Sequence, residues 1–269
     1  MTRIHCAQFA PTLGNLERNI SLIGALLDSA LQGGANIVLF PELATSGYLF
    51  RSAEELRGSA IGRDHPAFAN WASQMRLSDG GNSTMVIGFA EADPDGSLYS
   101  SSAIVDSGGI RSIYRKTHLW DLEKNLFSPG ATLPEPVITE HGTLMTLVCY
   151  DLEFPEMTRY AALAGADLIV APVNWPVGPP HIGTLPAETI QAMAAARSSG
   201  VAIAICDRSG TERGQDWESG SVIIDARGRL LAELREAGII VAELDLLASR
   251  DKTRGALADL FADRRTDLY

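Results

Sequence analysis

The sequence predicts an α/β fold in which short buried strands alternate with amphipathic helices. The clearest helix covers residues 15–31, because its leucines and isoleucines recur at helical spacing and Gly33 and Gly34 follow it. The segment 36–40 is short and continuously apolar, which is typical of a strand buried on both faces of a sheet. No repeat, low-complexity tract or flexible linker divides the 269 residues, so a single domain over 1–269 is expected.

The other elements continue this alternation along the chain. Strands are expected at 4–9, 36–40, 85–90, 99–105, 110–114, 144–148, 168–171, 201–206, 222–224 and 239–244. Helices are expected at 15–31, 67–77, 155–164 and 185–198. Residues 107–109 predict one hairpin turn, and Arg227-Gly228 predict another that the strand 239–244 completes. This order of elements suits two packed sheets with helices outside, but the pattern alone does not choose that arrangement over a doubly wound sheet.

Composition and charge exclude several classes of partner. The chain is 46% hydrophobic and 20% charged, which is ordinary for a soluble enzyme. Its net charge of −11 argues against a nucleic-acid partner, which would require clustered basic residues. No uncharged apolar stretch approaches the roughly 18–20 residues of a membrane helix, and the N-terminus has no signal-peptide pattern. The three cysteines are too few for a disulfide scaffold, so a cytoplasmic location is expected.

Cys149 is the foremost candidate for a nucleophile. It ends the apolar strand 144–148, and Pro155 opens a helix shortly afterwards. A cysteine on a sharp strand-to-helix turn is where an α/β enzyme presents a nucleophile, and its thiolate reacts readily near neutral pH. Cys206 also ends a strand, so position alone leaves it as an alternative. Cys6 lies within a strand and is expected to be an inert core residue.

Two further motifs contain candidate catalytic side chains. Glu42 follows Pro41 at the end of a buried strand, where it is either a solvated carboxylate or a general base whose pKa burial raises. Lys116 follows the strand 110–114, although a lone lysine is usually a surface charge. Its neighbours Arg115 and His118 are expected to be an ion-pair partner and a hydrogen-bonding support, respectively.

The three motifs, in this order, resemble those of the nitrilase superfamily, the carbon–nitrogen hydrolases. The resemblance runs through nearly the whole chain and implies a four-layer α-β-β-α sandwich that needs no cofactor. It implies that Glu42 takes the thiol proton of Cys149 and later gives it to the leaving ammonia. It also implies that Lys116 and the backbone N–H of Tyr150 stabilise the tetrahedral oxyanion. Glu123 matches a second glutamate that in many members positions substrate and lysine, and a plain loop carboxylate is the alternative.

Four residues are expected to bind the substrate. Tyr48 ends the segment 40–48, which resembles the family's glutamate motif. Asn174 and Trp175 follow the strand 168–171, and the resemblance favours a pocket wall over a cap on the core. Glu153 faces either a substrate amine or solvent. The chain departs from the family at Asp207-Arg208, where Asn-Arg is usual.

The residues after the nucleophile resemble those of amidases, since nitrilases usually have Trp-Glu there and this chain has Tyr150-Asp151. The expected reaction is hydrolysis of a small primary amide to a carboxylate and ammonia through a cysteine thioester. The alternatives are N-carbamoyl amine or amino acid hydrolysis, a nitrilase, and a non-catalytic binding protein on the same fold. A metal is not expected, because the five histidines show no paired ligand spacing.

The resemblance also implies self-association. Members of the family use the C-terminal tail, here about 246–269, and the helices after the nucleophile to pair two subunits. A homodimer, or a higher homo-oligomer built from it, is therefore expected.

Overall fold

The computed structural model describes residues 1–75, 81–178 and 181–268. Its strands are β1 (Thr2–Gln8), β2 (Ile37–Leu39), β3 (Thr84–Ala92), β4 (Leu98–Asp106), β5 (Gly109–Arg115), β6 (Val137–Thr139), β7 (Gly142–Thr146), β8 (Leu168–Pro172), β9 (Ala202–Cys206), β10 (Thr211–Glu212), β11 (Gln215–Asp216), β12 (Val222–Ile224), β13 (Leu230–Glu233), β14 (Gly238–Leu244), β15 (Thr253–Gly255) and β16 (Ala258–Asp259). Its helices are α1 (Leu16–Gln32), α2 (Ala53–Arg57), α3 (Pro66–Gln74), α4 (Pro155–Leu163) and α5 (Ala187–Ser199). Short 3₁₀ turns cover Asp121–Asn125, Cys149–Glu153 and Leu247–Arg250.

Two six-stranded sheets form the centre of the molecule. The first has the order β14-β1-β2-β3-β4-β5, and the second has the order β13-β12-β9-β8-β7-β6. Both are mixed: β1, β2 and β3 run parallel to one another, as do β7, β8 and β9, and the flanking strands are antiparallel. Each sheet therefore has a parallel centre, whose carboxyl ends collect side chains at one edge.

The sheets pack face to face, and helices cover their outer faces. The core between the sheets contains Ile4 and Leu39 from the first sheet against Leu168 and Ala204 from the second. A second cluster joins α1 and α3 to the outer face of the first sheet, and a third joins α4 and α5 to that of the second. This is the four-layer α-β-β-α sandwich that the family resemblance predicts.

The prediction that the strand 239–244 completes the hairpin at Arg227-Gly228 was wrong. The turn around Gly228 closes with a hydrogen bond from its N–H to the carbonyl of Asp225 (2.9 Å), and β13 then pairs with β12. The strand predicted at 239–244 is β14, which instead pairs antiparallel with β1 in the other sheet. The strand that directly follows a tight turn pairs with the strand before it, so β13 occupies the edge of β12. The later strand β14 then covers the open edge of β1.

The remaining predicted elements are present with small shifts in their ends. Patterning did not predict the short elements α2, β6, β10, β11, β13, β15 and β16. The predicted end of the α3 helix at residue 77 lies outside the described residues. Within the described ranges, no helix is both long and apolar enough to cross a membrane.

Candidate active site

The carboxyl ends of three strands bring the three motifs together. Glu42 follows β2, Lys116 follows β5 and Cys149 follows β7, and the first two side chains are completely buried. The Lys116 ammonium donates to Glu42 Oε1 at 2.8 Å. Asn174, which follows β8, links Glu42 to Cys149. Its side-chain N–H donates to the Glu42 carbonyl (2.9 Å), and its backbone carbonyl lies 3.8 Å from Cys149 Sγ. Side chains distant in sequence thus form one buried cluster.

The backbone at Cys149 is strained. Its φ is 47°, in the left-handed region that non-glycine residues rarely adopt, and the residue opens the 3₁₀ turn Cys149–Glu153. Strain of this kind persists only when the surroundings hold it, and it concentrates at functional sites. The turn leaves Cys149 6% exposed as a residue, whereas Cys6 and Cys206 are completely buried in the core between the sheets.

A second carboxylate shares the lysine. Lys116 Nζ donates to Glu123 Oε1 at 2.8 Å, the same distance as to Glu42. The hydroxyl of Tyr48 also donates to Glu123 Oε1, at 2.5 Å, and the backbone N–H of Trp120 donates to Glu123 Oε2 at 2.8 Å. Glu123 is therefore not a solvated loop carboxylate, because its side chain is buried within the network; its role toward the substrate stays a prediction.

Burial and mutual charge set the protonation states of this cluster. Burial raises the pKa of Glu42 to about 7, even though the Lys116 charge opposes the shift; the Glu123 charge supports it. Burial also raises the pKa of the Cys149 thiol well above its usual value, and the Glu42 charge adds to this. For Lys116, burial lowers the pKa, but the two carboxylates outweigh it and hold the pKa well above 10.5. Near neutral pH, the cluster thus combines a neutral thiol, a cation and a carboxylate able to exchange a proton.

Three of the predicted site residues lie beside this network without a side-chain hydrogen bond to it in the described part of the chain. Tyr150 is half-buried, and its ring lies edge-on to that of Phe154 at 5.0 Å. Trp175 is buried in the hydrophobic cluster that contains Cys149, and its indole N–H has no hydrogen-bond partner among the described residues. Glu153 is half-buried, and burial followed by the Glu188 charge raises its pKa.

The expectations for the neighbours of Lys116 are met. Arg115 forms an ion pair with Glu91 at 2.7 Å. His118 Nδ1 lies 2.8 Å from Asp151 Oδ1, as a hydrogen-bonding support.

Several residues of the site were not found from the sequence. Ser100 on β4 donates to Glu42 Oε1 at 3.1 Å. Gly88 on β3 allows close passage of the Glu42 backbone, since a Cβ there would lie 2.4 Å from Glu42 Cα. A glycine inside a strand pattern is a known signal of such an approach, and it could have been recognised here.

A buried ion pair holds the loop that contains Tyr48. Arg208 donates to Glu212 Oε2 at 2.8 Å, and Glu212 Oε1 accepts the backbone N–H groups of Tyr48 (2.9 Å) and Leu49 (2.5 Å). The neighbouring Asp207, where the family usually has Asn, accepts the backbone N–H of Trp175 at 3.1 Å. Positions 207 and 208 therefore support two loops of the site.

In the part of the chain that the structure describes, no group of three or more His, Cys, Asp or Glu side chains is arranged to hold a metal ion.

The fold and this cluster together define the class as hydrolases of carbon–nitrogen bonds. The chain belongs to the carbon-nitrogen hydrolase family, whose model matches residues 3–252.

Relatives with full-length similarity belong to the nitrilase superfamily, and they include a nitrilase as well as amidases. A nitrilase from Pyrococcus abyssi is 31% identical over 271 residues, which cover 100% of this chain and 99% of the relative. An (R)-stereoselective amidase from Pseudomonas sp. is 31% identical, with 99% of this chain and 92% of the relative covered. The crystal structure of an amidase from Nesterenkonia sp. matches with a TM-score of 0.79 and 28% identity, covering 99% of this chain and 94% of that one. The protein is therefore an amidase-type hydrolase.

Proposed function

We propose that this enzyme hydrolyses a small primary amide to a carboxylate and ammonia through a thioester on Cys149. The observation that carries the proposal is the buried network of Glu42, Lys116 and Glu123 beside a cysteine held in a strained turn. Solved structures of the Nesterenkonia amidase include a complex with butyramide and the covalent addition of the acetamide moiety of fluoroacetamide at the active-site cysteine. Both support a small aliphatic amide as the substrate here.

Acylation requires a proton to leave the thiol as the C–S bond forms. Glu42 accepts this proton, and the sulfur of Cys149 attacks the amide carbon. The resulting oxyanion accepts hydrogen bonds from the Lys116 ammonium and from the backbone N–H of Tyr150, which stabilise its charge. When the intermediate collapses, the C–N bond breaks, and the leaving nitrogen takes the proton from Glu42 and departs as ammonia.

Deacylation repeats the same proton transfers with water. Glu42 removes a proton from a water molecule, whose oxygen attacks the thioester carbon. The C–S bond then breaks, the carboxylic product leaves, and the sulfur recovers the proton from Glu42. A base whose pKa is about 7 suits both directions of transfer near neutral pH.

The unpaired acceptors favour an amide over a nitrile. Asn174 Oδ1 is buried and has no hydrogen-bond partner within the described residues, and Glu42 Oε2 has none there besides the Cys149 thiol, which helps to set the Glu42 pKa. A primary carboxamide brings two N–H donors, whereas a nitrile brings none. A site built to accept N–H groups rejects an analogue that lacks them, because its buried acceptors would stay unpaired.

N-carbamoyl amine hydrolysis is the second candidate. An N-carbamoylputrescine amidase from Solanum lycopersicum is 28% identical, with 100% of this chain and 94% of the relative covered. The half-buried Glu153, near Glu188, adds negative potential beside the network, and this would attract a substrate with a cationic amine.

A substrate panel tests these proposals. Purified enzyme is given aliphatic amides, ω-amino amides, N-carbamoyl amines and nitriles of matched length, and ammonia and carbon dioxide are measured. We expect ammonia without carbon dioxide from short amides, and a covalent acyl adduct on Cys149 by mass spectrometry. Carbon dioxide release from the carbamoyl compounds alone would favour the second candidate. Turnover of nitriles alone would contradict the amide proposal. If no compound in the panel is turned over, the alternative of a non-catalytic binding protein on the same fold would be favoured.

The charge near the site leads to a further comparison within this panel. Among amides of equal length, kcat/KM should be lower for an anionic amide than for neutral or cationic ones, because Glu123 and Glu153 would repel it. A clear preference for the anionic amide would contradict this electrostatic argument.

A cytoplasmic location also stays our proposal, supported by three free, buried cysteines.

A further inference from the structure

Asp151 lies two residues after the nucleophile and accepts hydrogen bonds from two separate parts of the site. Its carboxylate is completely buried. Oδ2 accepts from the backbone N–H of Val148 (3.2 Å) and from the hydroxyl of Tyr114 (3.0 Å). Oδ1 lies within hydrogen-bonding distance of the Thr117 hydroxyl (2.9 Å), the His118 backbone N–H (3.0 Å) and His118 Nδ1 (2.8 Å). One buried carboxylate thus joins the cysteine turn to the lysine loop.

On the first side, Asp151 closes the strained turn. Its backbone N–H donates to the Val148 carbonyl at 3.0 Å, and its side chain accepts the Val148 N–H in return. The two bonds enclose Cys149, whose φ of 47° needs such support, and Tyr150, whose N–H is assigned to the oxyanion.

On the second side, Asp151 holds the residues that directly follow Lys116. The lysine itself is anchored upstream, where its backbone N–H donates to the Ser100 carbonyl at 2.8 Å. Downstream, the bonds from Thr117 and His118 to Asp151 are the contacts that tie this loop to the cysteine turn.

We propose that Asp151 is a positioning residue that sets the spacing between the Lys116 ammonium and the Cys149 turn. The proposal rests on the amide hydrolysis proposed above, because the two groups it aligns are those that would meet the substrate's carbonyl. Preorganised donors at such a position act without reorganisation during the reaction, so a loosened spacing lowers kcat more than substrate binding.

The donors around Asp151 require a carboxylate. An asparagine has a single oxygen, and its amide nitrogen cannot accept a hydrogen bond. The N–H groups of Val148 and His118 bond different oxygens of Asp151. In either orientation of an asparagine side chain, therefore, one of these two backbone donors loses its acceptor.

The test compares Asp151→Asn with Asp167→Asn. Asp167 is the matched control, since it is also a buried carboxylate, accepts the Thr143 N–H at 2.9 Å and an Arg250 ion pair at 2.8 Å, and follows α4 at the start of β8, at the end opposite the site. For Asp151→Asn we expect kcat to fall by about 10²-fold with little change in KM. For Asp167→Asn we expect kcat to stay close to that of the unmodified enzyme.

A second measurement does not depend on amide turnover. The charged groups that dominate the shift in the thiol pKa are Glu42, Lys116 and Glu123, and of these three only Lys116 lowers it; the backbone of Asn174, to which Asp151 has no hydrogen bond among the described residues, lowers it as well. If Asp151→Asn moves Lys116 away, the pH profile of iodoacetamide alkylation at Cys149 should shift to higher pH, and in Asp167→Asn it should not. If no amide is hydrolysed but this shift is seen, the proposed function fails and the positioning role holds.

Thermal stability, followed by circular dichroism, separates positioning from plain structural support. An Asp151→Asn enzyme that loses stability as Asp167→Asn does, but keeps the native kcat and alkylation profile, would overturn the proposal. If Asp151→Asn does not fold, Thr117→Val replaces it, because that change removes one bond to Asp151 from a half-buried side chain. A native kcat and profile in Thr117→Val would then overturn the proposal, and a lower kcat with a profile moved to higher pH would support it.

Discussion

At the scale of single residues, the site depends on one lysine shared by two carboxylates. Lys116 contacts Glu42 and Glu123 at 2.8 Å each, and no solvent reaches its side chain. Buried charges of this kind persist only when they are paired. Lys116 stays cationic, so two ionised carboxylates beside it would leave one uncompensated negative charge in the buried cluster. This favours protonation of one carboxylate, and Glu42 is the one whose pKa is raised to about 7.

The first prediction concerns the nucleophile. Cys149→Ala should abolish turnover and leave the fold intact, because the residue lies on a turn and the change removes only one sulfur atom from its edge of the buried cluster. Iodoacetamide should modify Cys149 stoichiometrically in the native enzyme, since Cys6 and Cys206 are completely buried. Steady-state kinetics and peptide mass spectrometry measure both effects. Modification of Cys206 first, together with activity in Cys149→Ala, would contradict the assignment.

The second prediction is the pH dependence of kcat/KM. Glu42 must be ionised to accept the thiol proton, and its pKa is raised to about 7. The rate should therefore level off above this value and fall about tenfold for each pH unit below it. In Glu42→Gln, this rise of the rate with pH (the acid limb of the profile) should disappear. The rate itself should fall by at least roughly 10²–10⁴-fold, as expected for removal of a general base.

A charge variant identifies the group that produces the limb, because burial also raises the pKa of Asp207 to about 7. The Glu123 charge raises the pKa of Glu42, so Glu123→Gln should move the limb to lower pH. The causes that dominate the shift in the Asp207 pKa do not include Glu123. A limb that stays in place in Glu123→Gln would assign it to a group other than Glu42.

At the scale of elements, the site exists because strands from both sheets end at the same edge. The Glu42 N–H donates to the Val173 carbonyl at 3.4 Å, which joins the chain after β2 in the first sheet to the chain after β8 in the second. On its other side, the segment passes over β3, where Gly88 donates its N–H to the Pro41 carbonyl at 3.1 Å. The position of Glu42 is therefore set by backbone contacts to two neighbouring strands.

The third prediction uses this crossing. A Cβ at Gly88 would lie 2.4 Å from Glu42 Cα and 2.5 Å from the Pro41 carbonyl oxygen, so Gly88→Ala must displace the glutamate backbone. We expect kcat to fall by about 10²-fold, the order of loss from a misplaced catalytic group. The control is Gly24→Ala within α1, where a Cβ meets nothing within 4 Å. That change should keep kcat and stabilise the fold by about 0.5–1 kcal/mol. Equal kcat values for the two variants would show that the crossing does not position Glu42.

At the scale of the whole molecule, the C-terminal segment is only partly packed against its own subunit. The strands β15 and β16 form a small separate hairpin, and Phe261 packs partly against the cluster under α4 and α5. Leu257, in contrast, is 98% exposed, and Leu268 is 68% exposed. Chain ends that present apolar side chains in this way are suited to contact another molecule.

The fourth prediction is therefore a two-fold homodimer, or a higher assembly built from it, with the tail in the contact. Light scattering at micromolar concentration should give at least twice the mass of one chain. Truncation after Ala258 should weaken the dimer, but it also removes Phe261 from the core. Leu257→Ser is the cleaner variant, because a 98% exposed side chain supports nothing within its own subunit. A monomeric mass for the active, full-length enzyme would contradict the prediction.

The sequence by itself determined the class of fold and the order of the elements. Strand and helix patterns depend on the burial of neighbouring positions, so they can be recognised locally, as in α1 and in the apolar strands β2 and β9. The motifs around Glu42, Lys116 and Cys149 indicated the family for the same reason, since each motif is a continuous run of residues.

Only the tertiary structure decided how these pieces meet. The pairing of β14 with β1 depends on which strand edge is left open, and no local pattern contains that information. The bonds from Asp151 to Thr117 and Val148, and the passage of Glu42 over Gly88, join residues from separate motifs. The same holds for the pKa of Glu42, because burial and the distances to Lys116 and Glu123 are properties of the folded chain.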